Sequence, residues 1–418
     1  MVVTCPDELV AATHEVRQVW AVVQAMDLAA FSVNVKAIKG GAGRNATDPA
    51  LLVALWLYAA VRGIGSAREL ERRCNESAPF KWLCGGVGVN HHLLADFRVD
   101  QVVALDALFT CVLATLVSKK LVKVRRISQD GMRVRAAAGS SSFRREGTLK
   151  QLLEKTRTRV TELRKMLDDP STSATTAAHR HAAQLARARN IQQRTEAAIA
   201  QLPDLEKRRE KAVKNAGNGE RGKKILAKEL RVSTTDPEAR VMKMANGGFN
   251  PALNVQVATD NESRAIVGVE VTNEGSDSAN LAGPMREQVE QRTGLKPGAQ
   301  LIDGGYVRTE DIENTHQNEI ELYMPPKTAL AKASKGNELH PKPGDSPAIL
   351  AWKARMASDE GKTIYKERAS TAETTNAHLR AAMGMDRLLV RGIKKTKCVI
   401  LWCALAINVM RFAVHLIG

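Results

Sequence analysis

Ile127-Ser128-Gln129-Asp130-Gly131-Met132-Arg133-Val134-Arg135 sets one acid at the end of a short apolar-alternating run, with a glycine next and alternation resuming after it. Alternation marks a half-buried strand, so the stretch predicts a strand that ends by presenting Asp130. Leu301-Ile302-Asp303-Gly304-Gly305-Tyr306 repeats the device, one acid closing an apolar run. Tyr365-Lys366-Glu367-Arg368-Ala369-Ser370-Thr371-Ala372-Glu373 opens a helix with carboxylates inside it. If the fold draws Asp130, Asp303 and Glu373 together, their charges repel unless cations intervene. Hard oxygen ligands suit Mg²⁺, which shares its remaining positions with water and phosphate. Two such ions about 4 Å apart stabilise the attacking and leaving oxygens of an in-line phosphoryl displacement.

The whole chain points to a polyanionic partner. It has 418 residues, with 62 Lys and Arg against 45 Asp and Glu, a net charge of +17. That excess favours nucleic acid or an anionic membrane surface. No membrane crossing is expected: the most apolar run, Cys398 to Met410, falls short of the roughly 20 residues a span needs and meets Arg411. The N-terminus lacks the basic-then-apolar pattern of a signal peptide. Cysteines at 5, 74, 84, 111, 398 and 403 are scattered, mostly in apolar stretches. They read as buried reduced thiols of a cytoplasmic protein. His91-His92 with Cys74 and Cys84 match no standard zinc spacing and read as core or capping residues.

In chain order, residues 1–125 read as a helical domain. Thr47-Asp48-Pro49, Ser66-Ala67-Arg68-Glu69 and Asn90 are start signals. Short helices with glycine-containing turns suit either a helix-turn-helix DNA reader or a plain bundle. Residues 126–147 carry the first acid. Residues 148–232 hold two apolar stripes, Leu149 to Leu167 and Leu185 to Leu202, which predict a helical hairpin broken at Asp168-Asp169-Pro170-Ser171. A basic, glycine-interrupted linker follows, from Lys207 to Lys228. From 233 to 418 the period switches to two. Strands are expected at Leu253–Asp260, Ala265–Thr272, Gln300–Ile302 and Ile320–Met324, with a helix from about Ala279 to Arg292. A mobile loop is expected over Lys327–Ser346, then helices with Glu373 near the start of one. This is a mixed α/β core with acids at strand ends, where ligands of such sheets sit.

Gln129-Asp130-Gly131, Val271-Thr272-Asn273, Asp303-Gly304-Gly305-Tyr306 and the Tyr365, Arg368, Glu373, Arg380 series together resemble bacterial insertion-sequence transposases of the Asp-Asp-Glu class. The resemblance runs over nearly the whole length, including the helical region around Leu51–Phe97. It implies a ribonuclease H-like mixed sheet, with an all-helical N-terminal domain for DNA binding and an inserted helical hairpin. It also implies that Asp130, Asp303 and Glu373 bind two Mg²⁺ (or Mn²⁺) ions and cut DNA. Arg368 and Arg380 would grip phosphates, and Arg144 and Arg145 would touch DNA. Tyr365 and Tyr306 would stack on or bond to DNA, unless they are core residues. Expected partners are the element's terminal repeats, target DNA and a second copy of the chain. Arg380 departs from the family's frequent Lys. Some relatives have one residue fewer between Arg and Glu; that spacing would point to Ala372, which cannot be a ligand. Glu367 is the rival third acid. Two other readings stay open, a metal-dependent nuclease without strand transfer and a transposon-derived DNA-binding protein without catalysis.

Overall fold

Side-chain caps start three N-terminal helices where the sequence signals them. Asp48 accepts the N–H of Ala50 (2.9 Å), Ser66 that of Glu69 (3.4 Å) and Asn90 that of His92 (2.7 Å). Ser66 makes only half of a capping box, because the Glu69 carboxylate turns to Arg72 and Arg73, each at 2.7 Å. The computed structural model describes residues 6–32, 46–168, 175–217, 219–276, 280–326 and 339–417. The expected break at Asp169–Ser171, Cys5 and positions 327–338 of the expected loop lie outside them.

The chain divides into two units, which are taken separately. The first comprises Met1–Val134, Asn254–Leu389 and Lys394–Gly418. It opens with α1 (Glu15–Gln24), α2 (Ala29–Ser32), α3 (Pro49–Val61), α4 (Ala67–Glu76), α5 (Ala78–Cys84), α6 (His91–Asp100) and α7 (Val102–Ser118). Among the described residues before Arg126 there is no strand. Helix α3 is buried at every position from Leu52 to Ala60, so it is a core helix with no polar face. His91 is tied to Glu71 at 2.8 Å, and Cys111 is exposed, contrary to the expectation of uniformly buried thiols. A thiol on the open face of α7 has nothing packed over it.

Strand β1 (Arg126–Arg135) does not stop at Asp130. Met132 and Val134 are buried beyond it, so the alternation continues through Gly131 and the acid sits mid-strand. The second unit, Arg135–Leu253 with Val390–Ile393, contains β2 (Phe143–Arg144), α8 (Glu146–Asp168), α9 (Thr175–Ala200), α10 (Leu202–Ala216), α11 (Glu220–Leu226), β3 (Val232–Ser233) and β4 (Arg240–Lys243). Val160 and Leu163 meet Leu185 and Ala188 between α8 and α9, the apolar seam expected of the hairpin. The stretch after it is helical, which corrects the linker reading. Lys, Arg, Glu and Ala are strong helix formers, Pro203 lies in the first turn of α10, and pairs such as Arg208–Asp204 (2.8 Å) brace it.

Strand β5 (Phe249–Asp260) begins in the second unit, where it pairs antiparallel with β4. It continues in the first unit antiparallel to β6 (Ile266–Thr272). Helix α12 (Ala282–Thr293), β7 (Ala299–Leu301), α13 (Thr309–Gln317) and β8 (Glu321–Tyr323) follow. In the first unit the strand neighbours run β6-β5-β1-β7-β8, with β1, β7 and β8 parallel. The fold is therefore mixed α/β. The chain closes with α14 (Pro347–Ala357), α15 (Asp359–Arg368), a π-helical turn (Ala369–Glu373), α16 (Thr374–Ala381) and α17 (Ile393–Ile417). Glu373 thus sits inside a continued helix, not near the start of one. Helix α17 is long and apolar enough to cross a membrane by length and composition, which the run Cys398–Met410 alone did not suggest. In this fold it packs inward: Trp402 donates to the Arg98 carbonyl (3.1 Å), and Asn408 clasps the N–H and carbonyl of Ile266, each at 2.9 Å.

Candidate active site

Asp130 reaches out of β1 with its side chain about one-fifth exposed (21%). Its Oδ1 accepts the N–H of Gly131 (2.9 Å) and pairs with Arg368 Nη2 (3.1 Å), while Oδ2 accepts from Asn376 Nδ2 (3.1 Å). Asp303 follows β7 and caps a 3₁₀ turn, Gly304–Tyr306, by accepting the Gly305 N–H. Gly304 is required there: a Cβ would stand 2.9 Å from the Pro325 carbonyl oxygen. The missing side chain makes room for the chain's own backbone.

Arg368 joins the first and third acids. It is 10% exposed and places Nη2 on Asp130 and Nη1 on Glu373 Oε1, at 3.3 Å. Burial alone would lower its pKa, but Asp130, Tyr365, Asp303 and Glu373 together outweigh that and raise it. The pKa of half-buried Tyr365 is also raised. Burial is the main cause; Arg368 opposes it, and Asp303, Asp130 and Glu373 add to it. The three predicted carboxylates therefore act on the same guanidinium and the same phenol. Asp130, Asp303, Glu373, Arg368 and Tyr365 are brought into one neighbourhood.

The π-turn explains the fifth-residue spacing. In an α-helix, positions four apart share a face; a π-turn closes i→i+5 and brings positions five apart together. Arg368 and Glu373 pair across that interval, while Ala372 is buried at 2% exposure. Glu367, the rival, is engaged elsewhere: it binds Arg126 Nε at 3.1 Å and Asn261 Nδ2 at 3.0 Å.

Tyr306 takes the core alternative. It is 1% exposed and its hydroxyl donates to Gln256 Oε1. Gln256 in turn accepts from Gln129 Nε2 (3.0 Å), and Gln129 Oε1 accepts from Gln300 Nε2 (2.8 Å). These buried amides tie β5, β1 and β7 together beside the two aspartates. Arg380 lies on α16, half-buried, with no ion pair among the described residues. Arg144 and Arg145 belong to the second unit, Arg144 exposed and Arg145 paired with Glu229. Sequence reading missed Asn376 and Arg264. Asn376 was findable, standing one helical turn beyond Glu373.

The donors are of the right kind for a hard divalent ion: three carboxylates, partly exposed. Their arrangement is not a metal cluster, because among the described residues no three His, Cys, Asp or Glu side chains converge to hold one. A guanidinium bridges Asp130 and Glu373 instead.

Residues 5–100 match the family model described as Transposase domain (DUF772), and residues 331–413 match that described as Transposase DDE domain. The second match contains Tyr365, Arg368, Glu373 and Arg380; Asp130 and Asp303 lie between the two. Neither the curated proteins nor the solved structures gave a match to the chain.

Proposed function

An insertion-sequence transposase of the DDE class is what the two family matches support, and from that premise we propose that Asp130, Asp303 and Glu373 form its catalytic centre. The observation that carries this is the buried guanidinium of Arg368, which pairs with Asp130 (3.1 Å) and Glu373 (3.3 Å) and is also raised in pKa by the charge of Asp303. The reaction is DNA cleavage by phosphodiester hydrolysis at the element's terminal repeats, followed by transesterification of the 3′ ends into target DNA. The fold proposed for the centre is ribonuclease H-like, with β1 and β7 as adjacent parallel strands that each deliver an acid.

In the arrangement described, Arg368 neutralises Asp130 and Glu373. A DNA phosphate competes for the same planar fork, since guanidinium binds phosphate and carboxylate alike through paired N–H groups. Transfer of Arg368 to phosphate would leave the carboxylates free for Mg²⁺ or Mn²⁺, which the family typically uses. Held by Asp130, Asp303 and Glu373, such ions would supply Lewis acidity for the phosphodiester chemistry. Asn376 keeps Asp130 oriented throughout, and Arg380 adds positive charge one turn further along the same helix. The helices before β1 are proposed to read the terminal repeats. The α8–α9 hairpin is proposed to pair two copies on DNA.

Gel shift on the gene's flanking sequence, followed by Mg²⁺-dependent nicking with and without Asp303→Asn, tests the reading. It requires binding by both proteins, with nicking and joined products from the unaltered chain only. Nicking without joining would leave a nuclease, and binding without nicking a DNA-binding protein.

A further inference from the structure

The turn between β5 and β6 reaches across to the helix that carries Glu373. Asn261 is locked in place, its N–H donating to the Arg126 carbonyl (2.9 Å) and its Oδ1 accepting from Ser128 Oγ (2.8 Å). From there it holds Glu367. Three residues on, Arg264 Nη1 donates to the Ser370 carbonyl at 2.6 Å and to Thr371 Oγ1, and Nη2 lies 3.4 Å from Ser370 Oγ. Ser370 and Thr371 are inside the π-turn.

A π-turn displaces one residue's worth of helical pairing, and the displaced carbonyl needs a donor from outside the helix. Inside this turn Ser370 Oγ and Thr371 Oγ1 donate to the Glu367 carbonyl, at 3.0 and 2.8 Å, and Arg264 gives the Ser370 carbonyl a charged donor, stronger than a neutral amide. Its own backbone is held for the task. With φ at +62° it occupies the left-handed region that residues other than glycine enter at a cost. Its N–H is fixed to the Asp260 carbonyl at 2.9 Å, and the preceding Ser263 is bound through its N–H to Asp260 Oδ2 at 2.9 Å. Arg411 Nη1 grips the Ser263 carbonyl from the other side, at 3.2 Å.

We propose that Arg264 is a positioning residue: it holds the acid helix in its π-turn and so sets Glu373 beside Arg368. Without that donor, α-helical pairing recovers and residues after the turn rotate by roughly 100°, the angle per helical residue. Glu373 then leaves the face that Arg368 and Asp130 share. The structural part stands on these contacts alone; the catalytic consequence rests on the function proposed above.

The test uses the full chain with Arg264→Ala, Arg264→Lys and a deletion of Ser370, read by amide exchange across 366–378 and by Mg²⁺-dependent nicking. Removing Ser370 places Arg368 and Glu373 four apart, a spacing an α-helix satisfies without help. Arg264→Ala is expected to leave gel-shift affinity within about twofold and to lower turnover about tenfold or more at unchanged KM. Exchange at 369–375 should slow about tenfold as regular pairing recovers, and Arg264→Lys should fall between. In the Ser370-deleted chain, adding Arg264→Ala should change neither exchange nor turnover. Unaltered exchange and turnover in Arg264→Ala overturn the proposal. If that variant melts early, the deletion decides: continued dependence on Arg264 in the shortened helix overturns it as well. Absence of nicking by the unaltered chain would remove the catalytic reading, while the exchange measurement would still judge Arg264.

Discussion

Arg368 binds two acids of unequal value to the fold. Glu373 is 61% exposed, so its pair with Arg368 is largely screened and contributes little stability. Asp130 and Arg368 are both mostly buried, and removing one partner leaves a charge without compensation. Arg368→Ala should therefore cost about 3 kcal/mol in urea unfolding, and Glu373→Gln should cost within about 0.5 kcal/mol of nothing. Arg368→Lys keeps the charge but loses the fork; nicking should fall about 30-fold, as expected when one charge-assisted bond is lost. Equal stability losses for Arg368→Ala and Glu373→Gln would contradict this ranking. Asp260 offers a pH test. Burial raises its pKa, partly opposed by hydrogen bonds from Ser263. The folded chain thus holds this proton to higher pH than the unfolded chain does. The group's contribution is most favourable below the ordinary carboxyl range, and it is lost as pH climbs from that range through the raised folded value. Asp260→Asn should flatten that part of the stability–pH curve, comparing urea midpoints in mild acid and at neutrality. An unchanged slope would show that Asp260 does not titrate differently on folding.

The turns around the acids impose their own tolerances. At Gly304 an added methyl meets two backbone oxygens, those of Pro325 at 2.9 Å and Pro326 at 3.2 Å, neither able to swing aside. Gly304→Ala should cost about 2 kcal/mol of stability and, by moving the Asp303 turn, abolish nicking. A variant that melts and nicks normally would show the turn to be more pliant than these distances allow. How legible each element was in the sequence follows from where its determinants lie. Capping residues and apolar periodicity are local, so α3, α4, α6, α8, β5 and β6 could be read directly, as could the acids that end or interrupt strands. The π-turn could not, because its support comes from Arg264, over a hundred residues earlier in the chain. Tyr306 looked equally fit for DNA or for the core; Gln256, on another strand, decides for the core. Helix α10 reads as a linker in sequence because its charges mask its period. Spaced Lys and Glu form helix-stabilising pairs as readily as they solvate a coil.

The net charge of +17 governs how the whole chain should meet DNA. Binding that neutralises phosphates releases counterions, so affinity falls with salt by about 0.9 logarithmic units per phosphate contact for each tenfold rise. The second unit contributes exposed lysines on α10 and α11, and Lys211, Lys214 and Lys224 have no carboxylate partner among the described residues. These are free to track a phosphate backbone, whereas Arg208, Arg209 and Lys223 are drawn to Asp204, Glu206 and Glu220. Replacing Lys211 and Lys214 by alanine should therefore reduce the slope of log affinity against log salt by about 2. It should weaken binding to specific and unrelated duplexes equally, because phosphate contacts carry no sequence. Asp303→Asn should leave the slope in place while stopping cleavage. Slopes measured by fluorescence anisotropy between low and moderate salt would distinguish the two effects. An unaltered slope in the lysine variant would assign the phosphate contacts to other basic residues, with the helices before β1 the next to test.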